Sequence, residues 1–106
     1  MKGSEKQIAW AEDIKATTIK TIEAMLAMTA NDPRANTDAA KAVRAKVNRA
    51  LDAVRACEDA GDLIEVYKGV SGSKTERENL AAVMAAIGNR FKTQYSTETM
   101  RALIGE

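Results

Sequence analysis

The chemistry open to this chain is bounded first by a residue it lacks, since its 106 residues include no histidine. That removes the commonest general base near neutral pH, the Ser-His and Cys-His nucleophile pairs, and most zinc ligand sets. Acid–base work would fall to carboxylates or lysines. Glu12, Asp13 and Glu23 form one candidate set for a cleft, and Glu58, Asp59 and Asp62 form another. Solvated helix faces account for both sets equally well. Extending the second set to Glu65 completes no metal pattern, because calcium asks for six or more oxygen ligands on a loop of defined spacing and magnesium for substrate phosphates beside its carboxylates. Gly69-Val70-Ser71-Gly72-Ser73-Lys74-Thr75 looks superficially like a phosphate loop. Serine, however, stands where a glycine must precede the lysine, and no strand leads into it. A helix start there would still offer unpaired backbone N–H groups to an isolated anion. On these grounds the chain reads as non-enzymatic, with no catalytic residue, cofactor or metal ligand assigned.

Binding is the alternative, and two features carry it. Lys41, Arg44, Lys46, Arg49 and Arg55 stand against Asp52 in one run. On a helical wheel Arg44 and Arg55 border an apolar stripe, while Lys46 and Arg49 lie further round. Such a helix could meet an acidic protein partner or phosphates, the latter with salt-dependent affinity, or simply solvate a face with its long stems. No zinc finger, glycine clamp or aromatic sheet motif supports nucleic acid. The second feature is Trp10, the only tryptophan, which falls off the centre of its helix stripe. Half-buried at the core border is the commoner fate of such a residue, and an interface hot spot the rarer one. Cys57 is alone, so no intrachain disulfide forms, and Glu58 and Asp59 beside it oppose a thiolate.

These residues must be held by helices. Ser4 with Gln7 fits a capping box, and Ile8, Ala11, Ile14 or Lys15, Thr18 or Ile19, Ile22, and Met25 or Leu26 then recur at three- and four-residue steps. The first helix should end near Met28 to Ala30, ahead of Asn31-Asp32-Pro33. A second is expected from about Asp38 to Ala60, stopped by Gly61, with Val43, Val47, Leu51 and Val54 as its apolar line. Together they form an antiparallel hairpin. Asp62 to Lys68 admits a short strand or a short helix; helix is preferred because a lone strand has nothing to pair with. Gly69 to Lys74 is a turn and a candidate mobile loop. A third helix should start at Ser73 or Thr75, carry Leu80, Val83, Met84, Ile87 and Phe91 on one face, and run to about Tyr95. A last short helix starts at Ser96 or Thr97 and carries Met100, Leu103 and Ile104. The fold expected is all-α: one compact domain, residues 1–106, of three main helices and one or two short ones. Abundant alanine fits that expectation.

The formal charge is +1, so the whole molecule has no strong pull on a polyanion. No apolar run suits a secretory signal or a membrane span, and the solitary cysteine fits a reducing compartment. A soluble, cytoplasmic protein is expected.

The stretch Gly3-Ser4-Glu5-Lys6-Gln7-Ile8-Ala9-Trp10-Ala11-Glu12-Asp13-Ile14-Lys15 resembles a Gly-Ser/Thr-x-Lys-Gln-x-x-Trp-Ala-x-x-Ile-Lys/Arg opening of small, poorly characterised proteins of bacterial and phage genomes, often near mobile elements. The likeness covers little more than the first helix. Where those proteins show a Trp-Ile-Asp-type stretch, this chain reads Leu63-Ile64-Glu65-Val66-Tyr67. The resemblance implies a compartment and a mobile-element setting more than an activity, and with them binding to a host protein or a nucleic-acid complex, a host defence system included. The function expected is therefore that of a macromolecular interaction protein acting through Lys41, Arg44, Lys46, Arg49 and Arg55 or through Trp10. A nucleic-acid-binding accessory and a structural homo-oligomer are the alternatives.

Overall fold

The computed structural model describes residues 1–89 and 95–106. Helix α1 (Glu5–Thr29) runs through the middle of the fold and packs on three others. Its start is the capping box expected at Ser4: the Ser4 hydroxyl accepts from the Gln7 N–H, and the Gln7 side chain accepts from the Ser4 N–H. A single 3₁₀ turn, Pro33–Asn36, follows. Asp32 caps it, and the Arg34 guanidinium, gripping the Asp32 carboxylate through two nitrogens, holds that acid below its ordinary range.

Helix α2 (Asp38–Ala56) returns antiparallel to α1, capped by Thr37. The pairing can be followed along the hairpin: Arg44 donates to the Thr29 hydroxyl, Arg55 meets Glu23 at 3.4 Å, and Lys15 donates to the Cys57 carbonyl at 2.8 Å. The helix ends at Ala56 and not at Ala60, and Gly61 is not its stop. The reason is tertiary. The Lys2 N–H donates to the Glu58 carbonyl and the Ala60 N–H donates to the Lys2 carbonyl, so the chain's first residues straighten Cys57 to Asp59 into a parallel bridge. Asp59 then caps a new helix, α3 (Ala60–Tyr67), by accepting from the Asp62 N–H. Asp62 to Lys68 is thus helical as preferred, but its cap is Asp59 and Gly61 lies in its first turn.

Helix α4 (Glu76–Ile87) begins with the Thr75–Glu78 capping box. It ends earlier than expected, at Ile87, where Gly88 caps it and Asn89 takes a positive φ of 50°. Phe91, placed on this helix's apolar face by the sequence, lies outside the described residues. Helix α5 (Glu98–Leu103), capped by Thr97, closes the fold.

Among the described residues every regular element is helical. One cluster of buried side chains joins all five α-helices, with Ile14, Val54, Leu63, Val83 and Leu103 wholly buried. Val43 departs from the apolar line assigned to α2: it is 55% exposed, and the first buried residue of that helix is Val47.

Candidate functional site

Four of the five basic residues of α2 bond within the protein. The Lys46 ammonium donates to the Ile87 carbonyl at 2.8 Å, and the Arg49 guanidinium to the Gly105 carbonyl at 2.9 Å. The Ile87 carbonyl belongs to the last turn of α4, where carbonyls lack intrahelical donors and carry the negative end of the helix dipole, and Gly105 follows the cap of α5. Arg44 reaches Thr29 at the end of α1, and Arg55 pairs with Glu23. Lys41 is exposed on the first turns of α2. The basic residues thus serve largely as ties between helices. Their carbonyl partners come from distant stretches of chain, so local sequence carries no signal for them.

The carboxylates are likewise engaged. Glu58 faces the terminal ammonium of Met1 and the Lys15 ammonium, while Asp59 caps α3. Burial raises the Asp62 acid above its ordinary range and the nearby Asp59 carboxylate adds to this, whereas the Thr97 hydroxyl lowers it. Among the described residues no three potential ligands converge on a metal position. Cys57 is buried, and burial followed by Asp59 and Asp62 pushes its thiol up, away from the reactive thiolate.

The segment that looks like a phosphate loop is tied down by the protein's own groups. The Gly72 N–H donates to the Asp13 carboxylate at 3.2 Å, Ser71 and Asn79 exchange two hydrogen bonds of 3.0 Å, and Lys74 donates to the Gly69 carbonyl. Asp13 therefore occupies the place an anion would take on that N–H. The loop expected to be mobile is pinned through Gly72 and Asn79.

Beside the pinned loop the surface is concave. Where the loop and the first turns of α4 meet α1, a groove of about 370 Å³ opens. Its α1 wall is small along one line, at Thr17, Thr21 and Ala24, and bulky at Met25 and Met28. Leu80 and Asn79 face it from α4, and Lys20, Lys74, Glu76 and Arg77 stand around it. Met28 is 77% exposed. Trp10, at 49% exposed, sits at the same azimuth of α1 as Met28, about five turns earlier at 3.6 residues per turn. The two large exposed side chains of α1 thus mark one stripe, which the Asp13–Gly72 contact crosses. Trp10 is not among the side chains packed against the core cluster, so the half-buried core position expected of it is not the one it takes.

The groove itself was missed in the sequence. The signal available was that shared azimuth of Trp10 and Met28, an apolar line apart from the buried one through Ala11, Ile14, Thr18 and Ile22. No helix among the described residues is long and apolar enough to cross a membrane. No family model, curated protein or solved structure matches the chain.

Proposed function

We propose that this chain is a non-enzymatic protein-binding module that docks its partner on the α1 face running from Trp10 to Met28, with the groove against α4 as the anchor. The observation that carries this reading is the exposure of Met28 beside an apolar, loop-built groove while four of the five basic side chains of α2 are engaged within the fold. Exposed large hydrophobics gathered at a concavity are characteristic of interaction sites, and methionine adapts its shape to a partner. The resemblance of the first helix to mobile-element proteins supports a host protein or protein complex as the partner.

The test is capture from lysate of the native host, with and without nuclease, using the wild-type chain, Ala24→Arg to fill the groove, and Lys41→Glu on α2. Ala24 is exposed, so its replacement should leave the fold intact. Protein recovered by the wild type and by Lys41→Glu, but lost with Ala24→Arg, is the expected result. Recovery indifferent to Ala24→Arg would remove the groove from the reading. Recovery of nuclease-sensitive material alone would replace it with nucleic-acid binding.

A further inference from the structure

We infer that the groove between α1 and α4 receives an acidic, amphipathic helix of a partner protein, an inference that rests on the docking reading above. Charge is the first argument. Lys20, Lys74 and Arg77 line the groove against the single carboxylate of Glu76. Beyond these, Asp13 places its carboxylate on the Gly72 N–H at the edge of the groove and Glu23 pairs with Arg55, so three cations stand against the two carboxylates of Glu76 and Asp13. Lys74 donates to the Gly69 carbonyl, an acceptor without formal charge, so the rim is cationic around an apolar floor. A partner with carboxylates flanking an apolar stripe is the complement, and one with lysines there would be repelled.

Shape is the second argument. Thr17, Thr21 and Ala24 follow one another at four and three residues along α1, making a low ridge of small side chains. Small residues let a helix axis approach to the usual 8–10 Å, with Met25, Met28 and Leu80 closing around its apolar face. From Thr17 to Met28 the wall is about 16 Å long at 1.5 Å per residue, which matches about three turns of a partner helix. An extended peptide would need an unpaired strand edge for its backbone, and the described residues contain no strand to offer one.

The experiment uses the full chain with ¹³C-methyl methionine. The probe is a capped synthetic peptide of about four turns, with leucines at i, i+3, i+4 and i+7 and glutamates flanking them. Its counterpart carries lysines in place of the glutamates. The acidic peptide should shift the Met25 and Met28 methyls saturably and leave Met84 and Met100 in place. Its affinity should fall severalfold between low and physiological salt, and roughly tenfold in Lys20→Glu/Arg77→Glu. Equal or tighter binding of the lysine peptide would overturn the acidic partner while leaving the groove a docking site. If neither peptide moved the methyls, yet host-protein capture remained sensitive to Ala24→Arg, the helical occupant would be wrong and the docking reading would stand. Methyl shifts that track the chain's own concentration would overturn the inference in favour of a second copy.

Discussion

Where the first residues of the chain, α3 and α5 meet the second half of α2, long-range hydrogen bonds fix one helix end after another. In the hairpin from Glu23 to Ala45, by contrast, no residue is buried. The first region uses charged and polar groups inwardly: Lys46 on the Ile87 carbonyl, Arg49 on the Gly105 carbonyl, Lys15 on the Cys57 carbonyl, Tyr67 on the Leu103 carbonyl. The second leaves Met28 and Val43 in water. The usual assignment of charge to contact with partners and apolar surface to the core is thus partly inverted. What a helix face offers to a partner depends on which of its groups the rest of the fold has already engaged.

The contrast is broken most completely at Gly105. It has φ of +86°, and a β-carbon there would collide with the backbone carbonyl of Lys46. Backbone strain and a clash that only backbone movement can relieve add up, so Gly105→Ala should cost about 3 kcal/mol or more, detaching α5 from α2. Urea denaturation would measure it, and a midpoint within error of wild type would show that α5 is not seated as described. Tyr67→Phe is next. Tyr67 is 1% exposed and its hydroxyl donates to the Leu103 carbonyl, which the phenyl ring would leave unpaired at a cost of about 1–3 kcal/mol. Burial also raises the Tyr67 phenol well above its ordinary value. A raised folded value means the fold holds this proton more tightly than the unfolded chain does. The stability it contributes is therefore present below the unfolded tyrosine value of about 10 and is lost as pH rises beyond it. The deficit of Tyr67→Phe should accordingly shrink above about pH 10, a trend that unfolding midpoints at rising pH would show or deny.

Helix starts were legible in the sequence because they are local. Ser4 with Gln7 and Thr75 with Glu78 carry both halves of the capping box within one turn, and both form. The all-α class followed from the same periodicity. The end of α2 was illegible because Lys2, far away in the chain, pulls Cys57 to Asp59 out of helix. The roles of Lys46 and Arg49 were hidden for the same reason, their acceptors lying 41 and 56 positions on. The wheel shows Trp10 off the buried line of α1 but not how far it stands out, and the groove further along its stripe depends on the contact of Gly72 with Asp13, 59 positions apart.

Between the two regions stands Thr18, wholly buried on α1 with a hydroxyl that finds no partner among the described residues. An unpaired buried hydroxyl costs free energy that an isosteric methyl does not, so Thr18→Val should stabilise the protein by about 1 kcal/mol. Thermal unfolding followed by circular dichroism would register the rise. A fall would mean that the hydroxyl bonds to a carbonyl of its own helix.

The smallest expected effects sharpen the contrast from the hairpin side. Met28 is 77% and Val43 55% exposed, so replacing either by lysine removes little buried apolar area and strands no polar group. Met28→Lys and Val43→Lys should each change stability by no more than about 0.5 kcal/mol, the range of ordinary surface substitutions. The two then separate in function: Met28→Lys removes a thioether from the apolar lining of the groove and should weaken docking at high salt, where the added charge is screened, whereas Val43 lies on α2 and is not among the groove residues. Denaturant midpoints at two protein concentrations provide the check. A loss above about 1 kcal/mol that deepens on dilution would show that these side chains are covered by a second copy of the chain, because only association makes stability depend on concentration.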